Sequence, residues 1–255
     1  MKKPTKILFF TFAMSLFFTT GASAFSAMET NPSKVTASET SATVVQFTNK
    51  GEIPYGEFIR AVVIEISGQK PQIMDTHYAM PYIKEAKELG LIGDVPMKQW
   101  SQNITHDEMN AIIAKMAGNQ KENVIKQVNA LLVDSITLNG SPLDLGGLKM
   151  TVRNGNVMVP LRIVVEALGF NVTWEKNPHT ALIDNGTIKT SLQIGYDNYY
   201  KASSNQIGLT EPIQYGTPPM LFEGNTYVPA QLINLLLSDT DSIIINGGVL
   251  NIISK

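Results

Sequence analysis

The chain has 255 residues, no cysteine and a net charge of −2, from 20 basic and 22 acidic side chains. Without cysteine there is no disulfide framework, which suits an exported bacterial protein, and we expect no lipoprotein anchor because no cysteine can carry the lipid. No long basic run is present, so we do not expect nucleic acid as a partner. The length suits one or two domains, each with its own core.

Residues 1–24 have the plan of a secretory signal peptide. Basic lysines precede an apolar run at 7–18, and Ala-Ser-Ala at 22–24 is a cleavage site with small residues. The alternative is a membrane anchor, but a span needs about 20 apolar residues. We therefore expect export, cleavage and no membrane span afterwards. Cleavage removes Lys2, Lys3 and Lys6 but no acid, so the mature chain is more acidic than the full chain.

A flexible leader is predicted next, over residues 25–50. This stretch is rich in Ser and Thr and poor in large apolar groups, so it cannot offset the entropy lost on ordering. VVQF at 44–47 could add a short strand.

Residues 51–134 show helical periodicity, and we name them the helical region. In the first helix Phe58, Val62 and Ile66 recur every four residues and form one apolar stripe. Gly68 and Pro71 end that helix.

Three more helices are predicted in the helical region. The second places Ile83, Ala86 and Leu89 inward and ends at Gly90.

The third predicted helix begins at an N-cap, Thr105, which forms a capping box with Glu108. Gly118 ends this third helix, and residues 121–134 form the fourth helix or a helical connector.

From residue 135 the pattern changes to strands and turns, and we name residues 135–255 the sheet region. Asn139-Gly140 and Asn154-Gly155 predict hairpin turns. Pro160 precedes a short helix that Gly169 ends. A further hairpin follows at 170–184, and residues 188–216 supply strands.

An internal repeat covers 150–183 and 219–252. When Val159-Pro160 is aligned with Val228-Pro229, Leu168 falls on Leu237 without a gap. The same ungapped alignment sets Ser238 against Gly169 and Ile243 against Trp174. Each copy has an apolar helix face and an amphipathic hairpin, so two copies can cover each other. The expected fold class is therefore α+β: a small helical region, then a duplicated unit of antiparallel sheet and short helix.

The strings VPLR, EALG and VTW, at residues 159–174, together with the second VP copy, resemble the stalk domain, also called the copper amine oxidase N-terminal-like domain. The resemblance covers about 135–255. It implies an antiparallel sheet curved round a short helix and an exported protein of a Gram-positive bacterium. The second copy has Ala230-Gln231 where the family keeps Leu-Arg, so any role of the arginine falls to Arg162 alone.

No catalytic constellation emerges, so we predict no enzyme, no cofactor and no metal. A copper amine oxidase needs three histidines and a tyrosine followed by an acid. Here the nearest string ends in Tyr199-Tyr200, and the histidines (His77, His106, His179) lie far apart in the sequence. The resemblance implies the non-catalytic part of such enzymes.

The helical region resembles a degenerate S-layer homology region. PYIKEAKELGLIG at 81–93 is similar to the first helix of such a repeat, and ITHDEMNAIIAKM at 104–116 is similar to the second. His106 stands where the family has an arginine, and Thr105 and Glu108 flank it. The resemblance implies binding to an anionic wall polysaccharide.

Five candidate binding residues follow, each with a structural alternative. Arg162 binds an anion, or pairs with Glu166 or a strand end. Trp174 stacks on a sugar, or packs beside the helix. His106 acts as a weak cation, or is simply solvated; Thr105 and Glu108 belong with it.

Two functions remain open. The first is an exported, non-catalytic cell-envelope protein that binds wall polysaccharide, peptidoglycan, an envelope protein or itself, with the sheet region as spacer. The second is a secreted carbohydrate- or peptide-binding module that works in solution.

Overall fold

The structure is a computed structural model that describes residues 47–70, 77–177, 179–204 and 208–254. The described residues belong to one compact unit of mixed α+β structure, which confirms the predicted fold class at that level. Within these ranges, no helix is long and apolar enough to cross a membrane. The predicted signal peptide, the leader up to residue 46 and the helix stop at Pro71 lie outside the described residues.

The helical region packs its helices around one apolar cluster. Phe58 and Val62 of the predicted stripe are fully buried in it, and Ile66 is partly buried against it. The first helix ends at Gly68, whose φ of 66° is left-handed, as predicted. The helices are α1 (Tyr55–Ser67), α2 (Met80–Glu88), α3 (His106–Ile113) and α4 (Gly118–Leu131), with a short 3-10 helix at Met97–Gln99 between α2 and α3.

The predicted end of the third helix is wrong. Gly118 does not stop α3, which ends at Ile113, but is the first residue of α4. The turn after α3 closes when Lys115 and Met116 donate their N–H groups to carbonyls of the last helical residues. α4 then ends at Leu131, short of the predicted 134, because Asp134 donates its N–H to the carbonyl of Gly248 in the sheet region.

Two further expectations are corrected, one in the helical region and one in the leader that precedes it. Leu89 was expected inward but is 47% exposed, because the helix ends there and Leu91, after the turn at Gly90, takes the buried place. The leader was expected to run to Lys50, but Phe47 is buried against Phe58 with ring centres 6.0 Å apart. Its aromatic ring makes burial favourable.

The sheet region contains three small four-stranded sheets. The first has the order β11-β12-β1-β2, the second β3-β4-β10-β9 and the third β5-β6-β7-β8. All neighbouring strands run antiparallel except β1 and β12, which are parallel. The strands are β1 (Ser135–Leu138), β2 (Ser141–Pro142), β3 (Thr151–Arg153), β4 (Asn156–Pro160), β5 (Asn171–Glu175), β6 (Thr180–Asp184), β7 (Ile188–Gln193), β8 (Ala202–Ser203), β9 (Met220–Phe222), β10 (Asn225–Pro229), β11 (Ile243–Asn246) and β12 (Val249–Ile252).

Two short helices complete the sheet region, α5 (Leu161–Ala167) and α6 (Leu232–Leu237). The Asn139-Gly140 and Asn154-Gly155 turns have positive φ at both residues, as two-residue hairpin turns require. Gly169 follows α5 with a φ of 84°, and Ser238 follows α6 with a φ of 59°.

Two stretches share one order of elements. The first unit is β3-β4-α5-β5-β6 and the second unit is β9-β10-α6-β11-β12. Strands β4 and β10 join them by antiparallel pairing, with Val159 opposite Val228. That a stalk-like unit has been duplicated stays a prediction.

The strand pairing corrects the ungapped alignment by two residues along the whole of β5 and β11. Trp174 lies opposite Ala181 in the first unit. The alignment sets Leu250 against Ala181, and the residue opposite Leu250 is Ile245. Ile245, not Ile243, therefore corresponds to Trp174. The reason is the tight turn at Gly247-Gly248, which replaces the longer loop of the first unit.

The helical and sheet regions meet at a seam formed by Glu57, Tyr78, Arg153, Asn154 and Gly155. Glu57 is 1% exposed and accepts hydrogen bonds from the N–H groups of Asn154 (2.7 Å) and Gly155 (3.1 Å). The Arg153 guanidinium lies 3.4 Å from the centre of the Tyr78 ring. Burial, and then the charge of Glu57, raises the pKa of Tyr78. A helix carboxylate thus holds the β3–β4 turn.

Candidate functional site

An open groove of about 520 Å³ lies between the two units of the sheet region. The start of α5 and the β5–β6 hairpin form one wall, and the β9–β10 turn forms the other. We name it the Trp174 groove. It is lined by Leu148, Pro160, Leu161, Arg162, Ile163, Val172, Trp174, Lys176, His179, Ala181, Leu221, Gly224, Asn225 and Thr226.

Trp174 is partly exposed and contributes an aromatic surface to this groove. It packs against the apolar cluster of the sheet region, so the packing interpretation of this residue is confirmed. Its ring centre lies 6.3 Å from that of His179. Trp174 lies next to α5 because its strand, β5, begins only two residues after Gly169, the glycine that ends this helix. Packing leaves part of the indole accessible in the groove.

Arg162 lies at the start of α5 and forms both structural contacts that the sequence suggested. Its Nη1 donates to Glu166 Oε1, one turn on, at 2.9 Å and to the carbonyl of Val172 at 2.9 Å. The pair with Glu166 is about half exposed, so its main effect is to orient the guanidinium. The bond to Val172 ties α5 to the edge of β5.

The charged side chains that line the groove are all positive. Arg162 and Lys176 are the charged residues among those that line the groove, and both are cations. Lys176 has no ion pair within the part of the chain that the structure describes. Beside them Trp174, Ile163 and Leu221 present apolar surface. The groove therefore suits a ligand with a negative charge next to a flat apolar face.

The other candidates, Thr105, His106 and Glu108, form the start of α3. Thr105 donates its N–H to Glu108 Oε2 (2.9 Å), and Glu108 donates its N–H to Thr105 Oγ1 (3.2 Å), which confirms the capping box. His106 is exposed, and its ring stacks 6.3 Å from that of Phe47. Glu108 lines a cavity of about 290 Å³ with Tyr55 and Lys115, separate from the Trp174 groove.

A larger groove, of about 1050 Å³, lies between the helical region and the second sheet, β3-β4-β10-β9, and was not predicted from the sequence. Tyr78 lines it from one region, and Lys149, Phe222 and Tyr227 line it from the other. These residues are far apart in the sequence, and the pairing of the strands in the second sheet brings them together. The one available signal was Leu221-Phe222, an apolar pair next to the Glu223-Gly224 turn.

Metal ligands do not cluster in the described part of the chain, where no group of three or more His, Asp or Glu residues could hold an ion. His77 lies beside Trp100, His106 beside Phe47 and His179 beside Trp174.

The comparison with known families falls on the sheet region. Residues 137–237 match the family described as the copper amine oxidase N-terminal domain. The predicted resemblance of this region is therefore confirmed, and that domain is a non-catalytic module. The match covers the Trp174 groove and ends at the last residue of α6, inside the second unit. The helical region lies entirely before it, and its resemblance to S-layer homology repeats stays a prediction.

A relative from Brevibacillus choshinensis, described as a protease inhibitor, is 36% identical to this chain over 81 residues. The aligned part is 32% of this chain and 23% of the relative, so the chain spans about a quarter of the relative's length. No solved structure matches.

Proposed function

We propose that the protein is an exported, non-catalytic binding protein of the Gram-positive cell envelope, and that its ligand binds in the Trp174 groove. The observation that carries the proposal is this groove, which lies inside the span that matches a non-catalytic module. The signal peptide pattern at 1–24 supports export, and the proposal needs no cofactor and no metal.

The ligand is a wall polymer, polysaccharide or peptidoglycan, with carboxylate or phosphate groups. An indole stacks on the flat face of a sugar ring, and a guanidinium or ammonium group pairs with an anion next to it. Trp174, Arg162 and Lys176 place these groups in one groove. A neutral glycan lacks the partner for the two cations and therefore binds more weakly.

The helical region provides a second contact with the wall. Its support is the resemblance of 81–93 and 104–116 to S-layer homology repeats, with Thr105, His106 and Glu108 at the start of α3. In this proposal the sheet region holds the Trp174 groove away from the wall-bound helices, as a spacer.

Co-sedimentation with purified cell-wall sacculi tests this function. The whole protein is used, because the two regions share the buried seam at Glu57. We expect it to pellet with sacculi, and Trp174→Ala and Lys176→Ala to lower the bound fraction several-fold. Tyr196→Ala is the matched control, since Tyr196 is 61% exposed and does not line the groove. If the wild type stays in the supernatant, the proposal is wrong.

Removing the secondary polysaccharide from the sacculi before the assay shows which wall polymer carries the anionic groups that the protein binds. Binding that disappears assigns the ligand to that polysaccharide, and binding that persists assigns it to peptidoglycan. If both variants at the groove bind like the wild type, attachment runs through the helical region and the Trp174 groove has another ligand.

Action in solution is the alternative form of this function, with soluble glycan or peptide as ligand. The chain has two tryptophans, and Trp100 is 7% exposed. In a Trp100→Phe variant, fluorescence therefore reports Trp174 alone. A saturable change with soluble wall fragments, without pelleting on sacculi, would favour this form.

A second candidate is binding of a protease, because the relative from Brevibacillus choshinensis is described as a protease inhibitor. Residual activity of secreted serine and metalloproteases, measured with excess protein, tests it. Unchanged activity across the panel removes this candidate and leaves wall binding unaffected.

A further inference from the structure

The two units of the sheet region treat their outer edge strands differently. In the first unit, β5 is the edge strand of its sheet. Arg162 occupies that edge by donating to the carbonyl of Val172. Charged residues follow at Glu175 and Lys176. A bonded carbonyl and nearby charges are features by which proteins block an edge against further strand pairing.

In the second unit the corresponding edge strand is β11. Gln231 stands at the position of Arg162 in the ungapped alignment, and its Nε2 instead donates to Asn156 Oδ1 at 2.8 Å. Ile243 corresponds to Val172, because their partner residues, Ile252 and Ile183, are aligned with each other. No side chain of the described residues takes the place of Arg162 on the Ile243 carbonyl.

Within the described residues, the backbone of β11 has N–H and C=O groups without a hydrogen-bond partner at this edge. In an antiparallel pair, alternate residues direct their N–H and C=O groups away from the partner strand. Ile253 donates its N–H to the carbonyl of Ser242, so Ser242 faces β12 and the next residue, Ile243, faces away. By the same alternation Ile245 also faces away. No other described residue bonds to the outward backbone groups of these two residues.

The side chains of this edge are apolar and exposed. Ile244 is 49% exposed, Ile245 is 36% exposed, and Ile253, the residue after β12, is 43% exposed. Ile244 and Ile253 lie on the same face, because Ser242 is the partner of Ile253. β11 itself carries no charge and no proline. Such an edge is a template for another strand.

We propose that β11 pairs with β11 of a second copy of this chain, antiparallel, about a two-fold axis through Ile244. Ile243 of one copy and Ile245 of the other then exchange N–H to carbonyl hydrogen bonds, and so does the symmetric pair. The two Ile244 side chains pack against each other across the axis. Two four-stranded sheets become one continuous sheet.

A second copy suits this edge because the register is self-complementary. The two-fold arrangement satisfies the outward groups of both strands with the same two residues, as an isologous interface requires. Asp241 falls opposite Gly247 of the other copy, so no acid faces an acid across the strands. A partner protein would have to supply an uncharged apolar strand of matching register.

The solution mass of the protein tests the proposal. Protein expressed from the full-length gene and exported is measured by sedimentation equilibrium, and we expect a dimer. Ile244→Lys places two cations on the axis and yields a monomer. Leu209→Lys is the matched control, since Leu209 is 69% exposed elsewhere on the surface, and it stays dimeric. A wild type that is monomeric up to high micromolar concentration overturns the proposal.

Cysteine cross-linking tests the register, since the chain contains no cysteine. On the axis the two Cα atoms at position 244 lie about 4.5 Å apart, within the range of a disulfide. Ile244→Cys therefore forms a covalent dimer on mild oxidation. Asn246→Cys does not, because in this register the two Cα atoms at position 246 are four residues apart along the strands, which is about 13 Å. Equal cross-linking at both positions overturns this register.

A third outcome assigns the edge to another occupant. If the protein is monomeric but Ile244→Lys lowers binding to sacculi, β11 receives a strand from an envelope component, and the second copy is excluded. If the wild type is a dimer that binds sacculi and Trp174→Ala loses this binding, the result supports the function proposed for the Trp174 groove. It does not test the pairing of β11.

Discussion

His77 shows at the residue scale how a neutral imidazole is built into the helical region. Its Nδ1 accepts a hydrogen bond from the N–H of Ala79 at 3.2 Å, and its ring lies 5.2 Å from the ring of Trp100. Burial, and then the charge of Arg153, lowers the pKa of His77. Protonation would remove the acceptor at Nδ1 and place a cation near Arg153.

The sign of the resulting pH dependence follows from linkage. Because the pKa of His77 is lower in the folded protein than its ordinary value of 6.5, the unfolded state binds the proton more readily. The contribution of His77 to stability is therefore fully present above pH 6.5. It is lost as the pH falls from 6.5 towards the pKa of His77 in the folded protein. We expect His77→Gln to lose less thermal stability than the wild type over that interval, by circular dichroism.

Asn110→Gln, on the exposed face of α3, is the control for this measurement and adds no titrating group. If His77→Gln and the wild type lose the same stability on acidification, His77 is not the group responsible.

At the scale of elements, the ends of α5 and α6 differ by one residue type. Gly169 ends α5 with a φ of 84°, and Ser238 ends α6 with a φ of 59°. A left-handed conformation costs an ordinary residue about 1 kcal/mol relative to glycine. Lys201 Nζ donates to Ser238 Oγ, and this exposed contact offsets a small part of that cost.

We expect Ser238→Gly to raise the free energy of unfolding by about 0.5 to 1 kcal/mol. The reciprocal change Gly169→Ser lowers it by about 1 kcal/mol, because an added Cβ there meets no atom within 4 Å and the cost is conformational only. Urea denaturation measures both changes. A loss of stability in Ser238→Gly would show that the hydrogen bond from Lys201 stabilises the protein by more than the left-handed backbone at Ser238 costs.

For the whole molecule, the seam joins two apolar clusters into one folding unit. Val152 of the sheet region is buried in the cluster of the helical region, and Glu57 of α1 holds the turn next to it. Trp100 belongs to the helical cluster and Trp174 to the sheet cluster. Each tryptophan therefore reports one region during unfolding.

We expect Trp100→Phe and Trp174→Phe variants to show coincident fluorescence transitions in urea, because the seam couples the two regions. Glu57→Ala leaves the partly buried N–H groups of Asn154 and Gly155 without their acceptor and lowers stability by about 2 kcal/mol. It also separates the two transitions. Glu88→Ala, at the exposed end of α2, changes stability by less than about 0.5 kcal/mol. If Glu57→Ala behaves like Glu88→Ala, the seam does not couple the regions.

Several features of this chain were predictable because their causes lie within a few residues. The capping box needs only Thr105 and Glu108, three positions apart, and the hairpin turns need only Asn-Gly pairs. The alternatives for Arg162 were also local, since Glu166 is one turn away. The prediction that Gly118 ends α3 was wrong because glycine is found at both ends of helices, and here it begins α4 after a turn that Lys115 and Met116 close.

The sequence alone determined the mixed α+β class, the turns, the helix stripes and the resemblance of the sheet region to the copper amine oxidase N-terminal domain, since each depends on short-range pattern. Only the tertiary structure decided that Glu57 serves the β3–β4 turn, that Leu221 completes the Trp174 groove, and that Arg162 bonds to the edge of β5 while no described side chain does so at β11. These outcomes depend on which distant residue a side chain meets, and hydrophobic periodicity carries no information about that partner.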